Sequence, residues 1–119
     1  MKLPDNVNDI IAEKIIGMEP AGFMGHSPMF RHKDGMVWLS PRFDFDLEAA
    51  FRLVTFLRED GWIITLIGSQ TAGWDCHIKC GPGARGKFYS DLMDGEMYTL
   101  PQAVCVAALR AYDLTGEKQ

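Results

Sequence analysis

The sequence predicts an α+β fold: an antiparallel sheet of about five strands packed between helices, an α-β-α sandwich with three main helices, as one domain over residues 1–119. Three observations carry this expectation. Apolar residues recur at helical spacing in two stretches, Val7 to Met18 and Leu47 to Leu57. The run Trp62-Ile63-Ile64-Thr65-Leu66-Ile67 is apolar on both alternating faces, the pattern of a central strand covered on both sides. The stretch Ala103-Val104-Cys105-Val106-Ala107-Ala108-Leu109 is apolar around a whole helical circumference, so this helix should be nearly enclosed.

The elements follow in order. Asp5 or Asn6 can cap the first helix, whose apolar stripe is Val7, Ile10, Ile11, Ile15 and Met18, and Gly17 and Pro20 end it. Two prolines and two glycines make Pro20 to Pro28 read as a connection crossing the surface. Met29 to Arg31 and Met36 to Leu39 are two strands joined through Asp34-Gly35, a step that supplies the positive φ of a tight hairpin. Asp44 or Asp46 offers an N-cap, Glu48 sits in the first turn, and Leu47, Ala50, Phe51, Val54 and Leu57 form the buried stripe of the second helix.

After the two-sided strand, Trp74 to Cys80 alternates, with Trp74, Cys76, Ile78 and Cys80 on one face and Asp75, His77 and Lys79 on the wetter one. Lys87 to Met93 forms another strand, and Glu96 to Tyr98 a short extension. Thr99 with Gln102 fits a capping box around Pro101 and opens the last helix, about Leu100 to Leu114, with Gly116 at its end.

Composition narrows the function classes. With 12 Lys+Arg against 16 Asp+Glu the net charge is −4, so the chain lacks the broad positive field that nucleic-acid polymers or membrane surfaces require, and any anion site must be local. Three cysteines are too few for a disulfide scaffold and fit a reducing cytoplasm. No apolar run approaches the roughly 18 residues of a membrane span, and no signal h-region follows Met1.

Gly81-Pro82-Gly83-Ala84-Arg85-Gly86-Lys87 formally matches G-x-x-x-x-G-K. Phe88 stands where a phosphate loop needs Ser or Thr for magnesium, and a strand pattern follows where a helix is needed, so a hairpin connection is the better reading. Cations on that loop still invite an anionic ligand. On a strand, Cys76 and Cys80 lie roughly 13 Å apart and His77 points the other way, which excludes a shared zinc ion or a disulfide. All three cysteines, Cys105 included, then read as buried small hydrophobes, and His26, His32 and His77 as surface residues. Asp44 and Asp46 belong to a helix start rather than to an acid–base pair. Trp38, Trp62 and Trp74 fall in three strands, as core or interface anchors. No catalytic residue, metal ligand set or cofactor is assigned.

The succession of residues resembles one family. It comprises the Ile10-Ile11-Ala12-Glu13-Lys14-Ile15-Ile16-Gly17 helix, the hairpin with Trp38, and the Asp46-Leu47-Glu48-Ala49-Ala50 helix ending in Asp60-Gly61-Trp62. The Trp74-Asp75-Cys76 strand and the closing Leu100 to Leu109 run complete it. In this order they resemble the phage ABA sandwich domain family of small bacteriophage and prophage proteins. The resemblance implies a sheet between helical layers and carries over no catalytic residue.

The expected function is a non-enzymatic phage accessory protein, working in the host cytoplasm, that binds a small anionic ligand or a host partner. One concrete form is similar to phage sponges that sequester cyclic nucleotide signals to blunt host defence. Arg85, Lys87 or Arg110 would meet phosphate while an aromatic ring such as Phe88 stacks on a base. Two alternatives stay open: a small hydrolase or nucleotide-processing enzyme around the Gly81 to Lys87 loop or His77, and an assembly module forming a homo-oligomer through a strand edge or helix face.

Overall fold

The protein is described by a computed structural model covering residues 3–69, 73–83, 86–90 and 98–114. Helix α1 begins as an α-helix at Val7–Ile10 and continues as a π-helical stretch, Ile11–Ile16, until Gly17 turns left-handed (φ 81°) and closes it. Strands β1 (Glu19–Met24), β2 (Ser27–Arg31) and β3 (Val37–Leu39) form an antiparallel sheet in that order. Helix α2 (Leu47–Glu59) follows, then β4 (Trp62–Ser69), β5 (Gly73–Cys80) and β6 (Gly86–Tyr89), a second antiparallel sheet in chain order, and finally helix α3 (Leu100–Ala111).

The architecture is α+β with three helices, but the strands divide into two sheets of three where a single sheet of about five was expected. Two of the corrections trace to particular residues. The Pro20 to Pro28 connection is largely strand: β1 pairs with β2 from Glu19↔Arg31 to Met24↔Ser27. A register shift between Pro20 and Phe23, with Gly22 at φ 94°, absorbs the prolines and glycines that disguised it. The strand Trp62–Ser69 is not central either. It lies at the edge of β4-β5-β6, and one of its faces is open, leaving Ile63 52% and Ile67 49% exposed while Trp62 is 2% exposed.

The element covered on every side is helix α3. Every residue from Ala103 to Leu109 is buried, and the helix packs against β5, β6, α2 and the π-helical part of α1. Its small side chains let these neighbours approach closely, and its start is fixed by the capping box: Thr99 Oγ1 accepts from the Gln102 amide (3.3 Å) and Gln102 Oε1 from the Thr99 amide (3.1 Å). Helix α2 is capped by Asp46, whose Oδ1 accepts from the Glu48 amide. Its buried residues are Ala49, Ala50, Leu53 and Leu57, so the stripe is rotated from the expected one, and Leu47 and Phe51 stay exposed.

The expected β2–β3 hairpin is present. Gly35 takes φ 91°, and the Met36 amide donates to Asp34 Oδ1 at 2.8 Å, holding the Asp34 carboxyl below its ordinary value. The strand expected over Lys87 to Met93 is present as β6 as far as Tyr89; residues 91–97 and Gly116 lie outside the described residues.

A polar chain locks the ends of three elements together. Trp62 Nε1–H donates to the Tyr112 hydroxyl (3.1 Å), which donates to Asp60 Oδ2 (2.6 Å). Phe88 meets the Trp62 ring edge-on at 5.8 Å, and Gly81 lies against the same ring. A Cβ at Gly81 would come within 2.5 Å of Trp62, and its φ of 65° is itself unfavourable for a side chain. Gly81→Ala should therefore lower stability by about 2 kcal/mol or more, read as a lower urea midpoint at unchanged m-value.

Candidate functional site

A hollow of about 670 Å³ lies between the first sheet and helix α2. That size suits a nucleotide-scale ligand. Its floor and walls come from sequence-distant elements: Trp38 from β3, His32 from the hairpin, and Phe51, Arg52, Thr55 and Phe56 from the exposed side of α2.

Trp38 is its centre. The His32 ring stacks parallel to the indole at 5.9 Å (8° between planes), and the Arg52 guanidinium lies 5.0 Å from its centroid. Glu48 Oε1 accepts from Arg52 Nη2 at 3.0 Å, an i,i+4 pair along α2 that fixes the guanidinium over the ring. Two polar atoms here are buried without a hydrogen bond among the described residues, Trp38 Nε1 and His32 Nδ1. The latter lies 3.3 Å from Asp34 Oδ1, within ion-pair range but not aligned to donate. Indole, imidazole and guanidinium side by side can recognise a planar, electron-rich anion by stacking and charge. A smaller hollow of about 320 Å³ adjoins this cleft across Trp38 and Arg52 and is lined by backbone and side chains of Val37 to Arg42 with Asp46.

Of the residues singled out from the sequence, Arg85 lies outside the described residues. Lys87 and Phe88 are neighbours on β6, and strand alternation sends them to opposite faces. Lys87 is exposed, and Phe88 turns inward onto Trp62. Arg110, in the last turn of α3, donates from Nη1 to the Tyr89 carbonyl at 2.9 Å. The loop after Cys80 leads into β6 rather than a helix, as the strand pattern after Lys87 implies.

A second polar cluster joins β5 to the residue after β6. The Ser90 hydroxyl donates to Asp75 Oδ1 (2.6 Å) and accepts from the Cys76 amide (2.7 Å), while His77 Nε2 sits 2.9 Å from Asp75 Oδ2. The constituents are those of a hydrolytic triad, but their order differs: the carboxylate stands between serine and histidine, so the imidazole is not the partner of the hydroxyl. Ser90 is fully buried, and its hydroxyl closes the ladder where β6 ends.

The cysteines separate into two kinds. Burial, then the neighbouring Asp75 carboxylate, pushes the Cys76 thiol from 9.0 up to about 12, and burial pushes Cys105 upward as well. Cys80, expected to be buried, is exposed: it ends β5 at φ 75°, which rotates it off the face that Cys76 occupies. Among the described residues no group of three or more His, Cys, Asp or Glu side chains is placed to hold a metal ion. No described helix is long and apolar enough to cross a membrane.

The cleft on α2 left only a weak trace in the sequence. Phe51 is one apolar residue more than the buried face of α2 needs, and Glu48 and Arg52 share its solvent side. Nothing local tied them to Trp38.

An α+β domain with an enclosed helix, an open sheet face and one aromatic, cationic cleft is the class of molecule these observations define. The family model of the phage ABA sandwich domain matches residues 9–109, and the chain belongs to that family. No match is found among curated proteins or among solved structures.

The thiol environments give a test in two parts. At pH 8 a thiol reagent should label Cys80 rapidly, and Cys76 and Cys105 only after unfolding. A raised thiol pKa favours the protonated folded form, so that contribution is whole below about 9 and is lost as pH rises toward 12. Unfolding free energies from urea titrations should accordingly hold between pH 7 and 8.5 and fall above pH 9, by up to about 1.4 kcal/mol per pH unit for each buried thiol.

Proposed function

We propose that the protein is a non-enzymatic phage accessory protein that captures a small anionic, aromatic ligand in the cleft between the first sheet and α2. A cyclic nucleotide signal of the host is the ligand class that fits best. The observation that carries this reading is the Arg52 guanidinium held 5.0 Å over Trp38 by Glu48, at the centre of a hollow of about 670 Å³. A base meets an aromatic and apolar wall there, and its phosphate meets a fixed cation. The buried indole N–H and imidazole nitrogen, neither hydrogen-bonded among the described residues, would gain acceptors or donors if Arg52 swings aside for the ligand. Binding without chemistry agrees with the deactivated Cys76 thiol and with the carboxylate-centred order of Ser90, Asp75 and His77.

A second reading, an assembly or host-protein interaction module, is favoured by the apolar side chains exposed around the first sheet and the start of α2. Phe23, Met24, Val37, Leu39, Phe45 and Leu47 belong to this group. Light scattering across a dilution series distinguishes it: a concentration-independent monomer removes the homo-oligomer, and a stable dimer supports it.

Calorimetric titration with cyclic dinucleotides and cyclic ADP-ribose isomers tests the ligand reading. One member is expected to bind, and Arg52→Ala or Phe51→Ala, both at exposed positions of α2, should weaken it about tenfold or more with the fold intact. Alanine variants of Arg85, Lys87, Phe88 and Arg110 read the assignment made from the sequence. Binding lost in these and kept in Arg52→Ala would move the site to the β5–β6 hairpin, and silence across the panel would overturn the nucleotide reading.

A further inference from the structure

The open face of the second sheet carries a feature that neither the cleft nor the core accounts for. Because β4, β5 and β6 pair in register, its odd-numbered residues form rows: Ile63, Lys79 and Lys87 in one, Thr65, His77 and Tyr89 in the next. Lys79 and Lys87 are thus directly opposite one another on antiparallel strands, both exposed. Like charges in that relation destabilise a sheet, since their β-carbons lie about 5 Å apart on one face.

Ordinary explanations reach only half of the pair. A lysine on an edge strand guards against unwanted pairing, which suits Lys87 on β6 but not Lys79 on the middle strand β5. Neutralisation is also lacking. Neither lysine has an ion-pair partner among the described residues, although the chain carries four more acidic than basic side chains. Asp75, the carboxylate on the same face, is already engaged by Ser90 and His77. Beside the pair stand Tyr89, partly exposed, and the His77 ring, which meets it edge-on with centroids 4.6 Å apart.

We propose that Lys79 and Lys87 form a two-pronged clamp for a phosphate group, with small phosphorylated molecules as the ligand class and the Tyr89 ring as the neighbouring surface for whatever the phosphate is attached to. Two flexible stems rooted one strand apart can bring both ammonium groups to one dianion, which turns their mutual repulsion into shared attraction. The clamp shares no residue with the cleft on α2, and it stands whether or not that cleft binds a nucleotide.

The test is thermal melting of the full chain in phosphate-free buffer at constant ionic strength, with sodium chloride exchanged for inorganic phosphate, pyrophosphate or adenosine monophosphate. A saturable rise in melting temperature is expected with pyrophosphate. In Lys79→Gln and in Lys87→Gln the unliganded melting temperature should stay level or increase, because repulsion is removed, while pyrophosphate affinity falls about tenfold. Lys87→Arg should retain the response. A monophosphate response exceeding that of inorganic phosphate, and reduced by Tyr89→Ala, assigns the phosphate to a nucleotide; equal responses assign it to free phosphate. No saturable rise in the wild-type protein, or glutamine variants that respond as it does, would overturn the clamp.

Discussion

The enclosure of helix α3 is the constraint from which the rest of the structure follows. A helix apolar on every side must be surrounded, and several elements are drawn onto it. The second sheet takes one side, and α2 and the π-helical end of α1 take others. Among the described residues no element covers the outer face of β4-β5-β6, so Ile63 and Ile67 face outward although their sequence context is that of buried strand. The side chains on α3 decide how tightly this works. Alanine, valine and cysteine keep the neighbouring backbones near, and enlarging any of them would meet atoms on all sides.

The same constraint explains which parts of the fold were legible in the sequence. Elements whose cause is local could be read directly: the Thr99 capping box, the Asp46 cap and the Asp34-Gly35 turn each depend on residues within a few positions of one another. The apolar circumference of α3 was equally plain, because periodicity needs no partner. What failed was inference about neighbours. Two-sided apolarity in Trp62 to Ile67 cannot say whether one of the faces is covered, and β1 was hidden because Pro20 and Gly22 are turn formers that a register shift on an edge strand also tolerates.

The candidate cleft was less legible still, for a physical reason. Trp38 and Arg52 are recruited by packing of α2 beside the first sheet, and cation and ring meet across 14 positions of chain with no spacing rule to join them. The rotated stripe of α2 was the available sign. Once Leu53 rather than Phe51 is the residue turned inward, an aromatic ring is left over on the side that carries Glu48 and Arg52. The residues chosen for their local context, Lys87 and Phe88, were adjacent in sequence and therefore on opposite faces of their strand.

How polar groups are satisfied separates the structural clusters from those with capacity to spare. Asp60, Tyr112 and Trp62 form a closed chain in which every described donor has an acceptor, and Asp75 does the same for Ser90 and His77. Such closed sets hold elements together and have nothing to offer a ligand without losing what they hold. Around Trp38 the accounting is different: the indole N–H and His32 Nδ1 are enclosed without a hydrogen bond among the described residues, and the Arg52 guanidinium is tethered by Glu48 on the solvent side of the same helix. A group buried without a partner costs free energy in the folded state, and a ligand that supplies the partner recovers it. A single polar contact would remove that imbalance, and its persistence beside a hollow of about 670 Å³ is what the proposed ligand reading draws on.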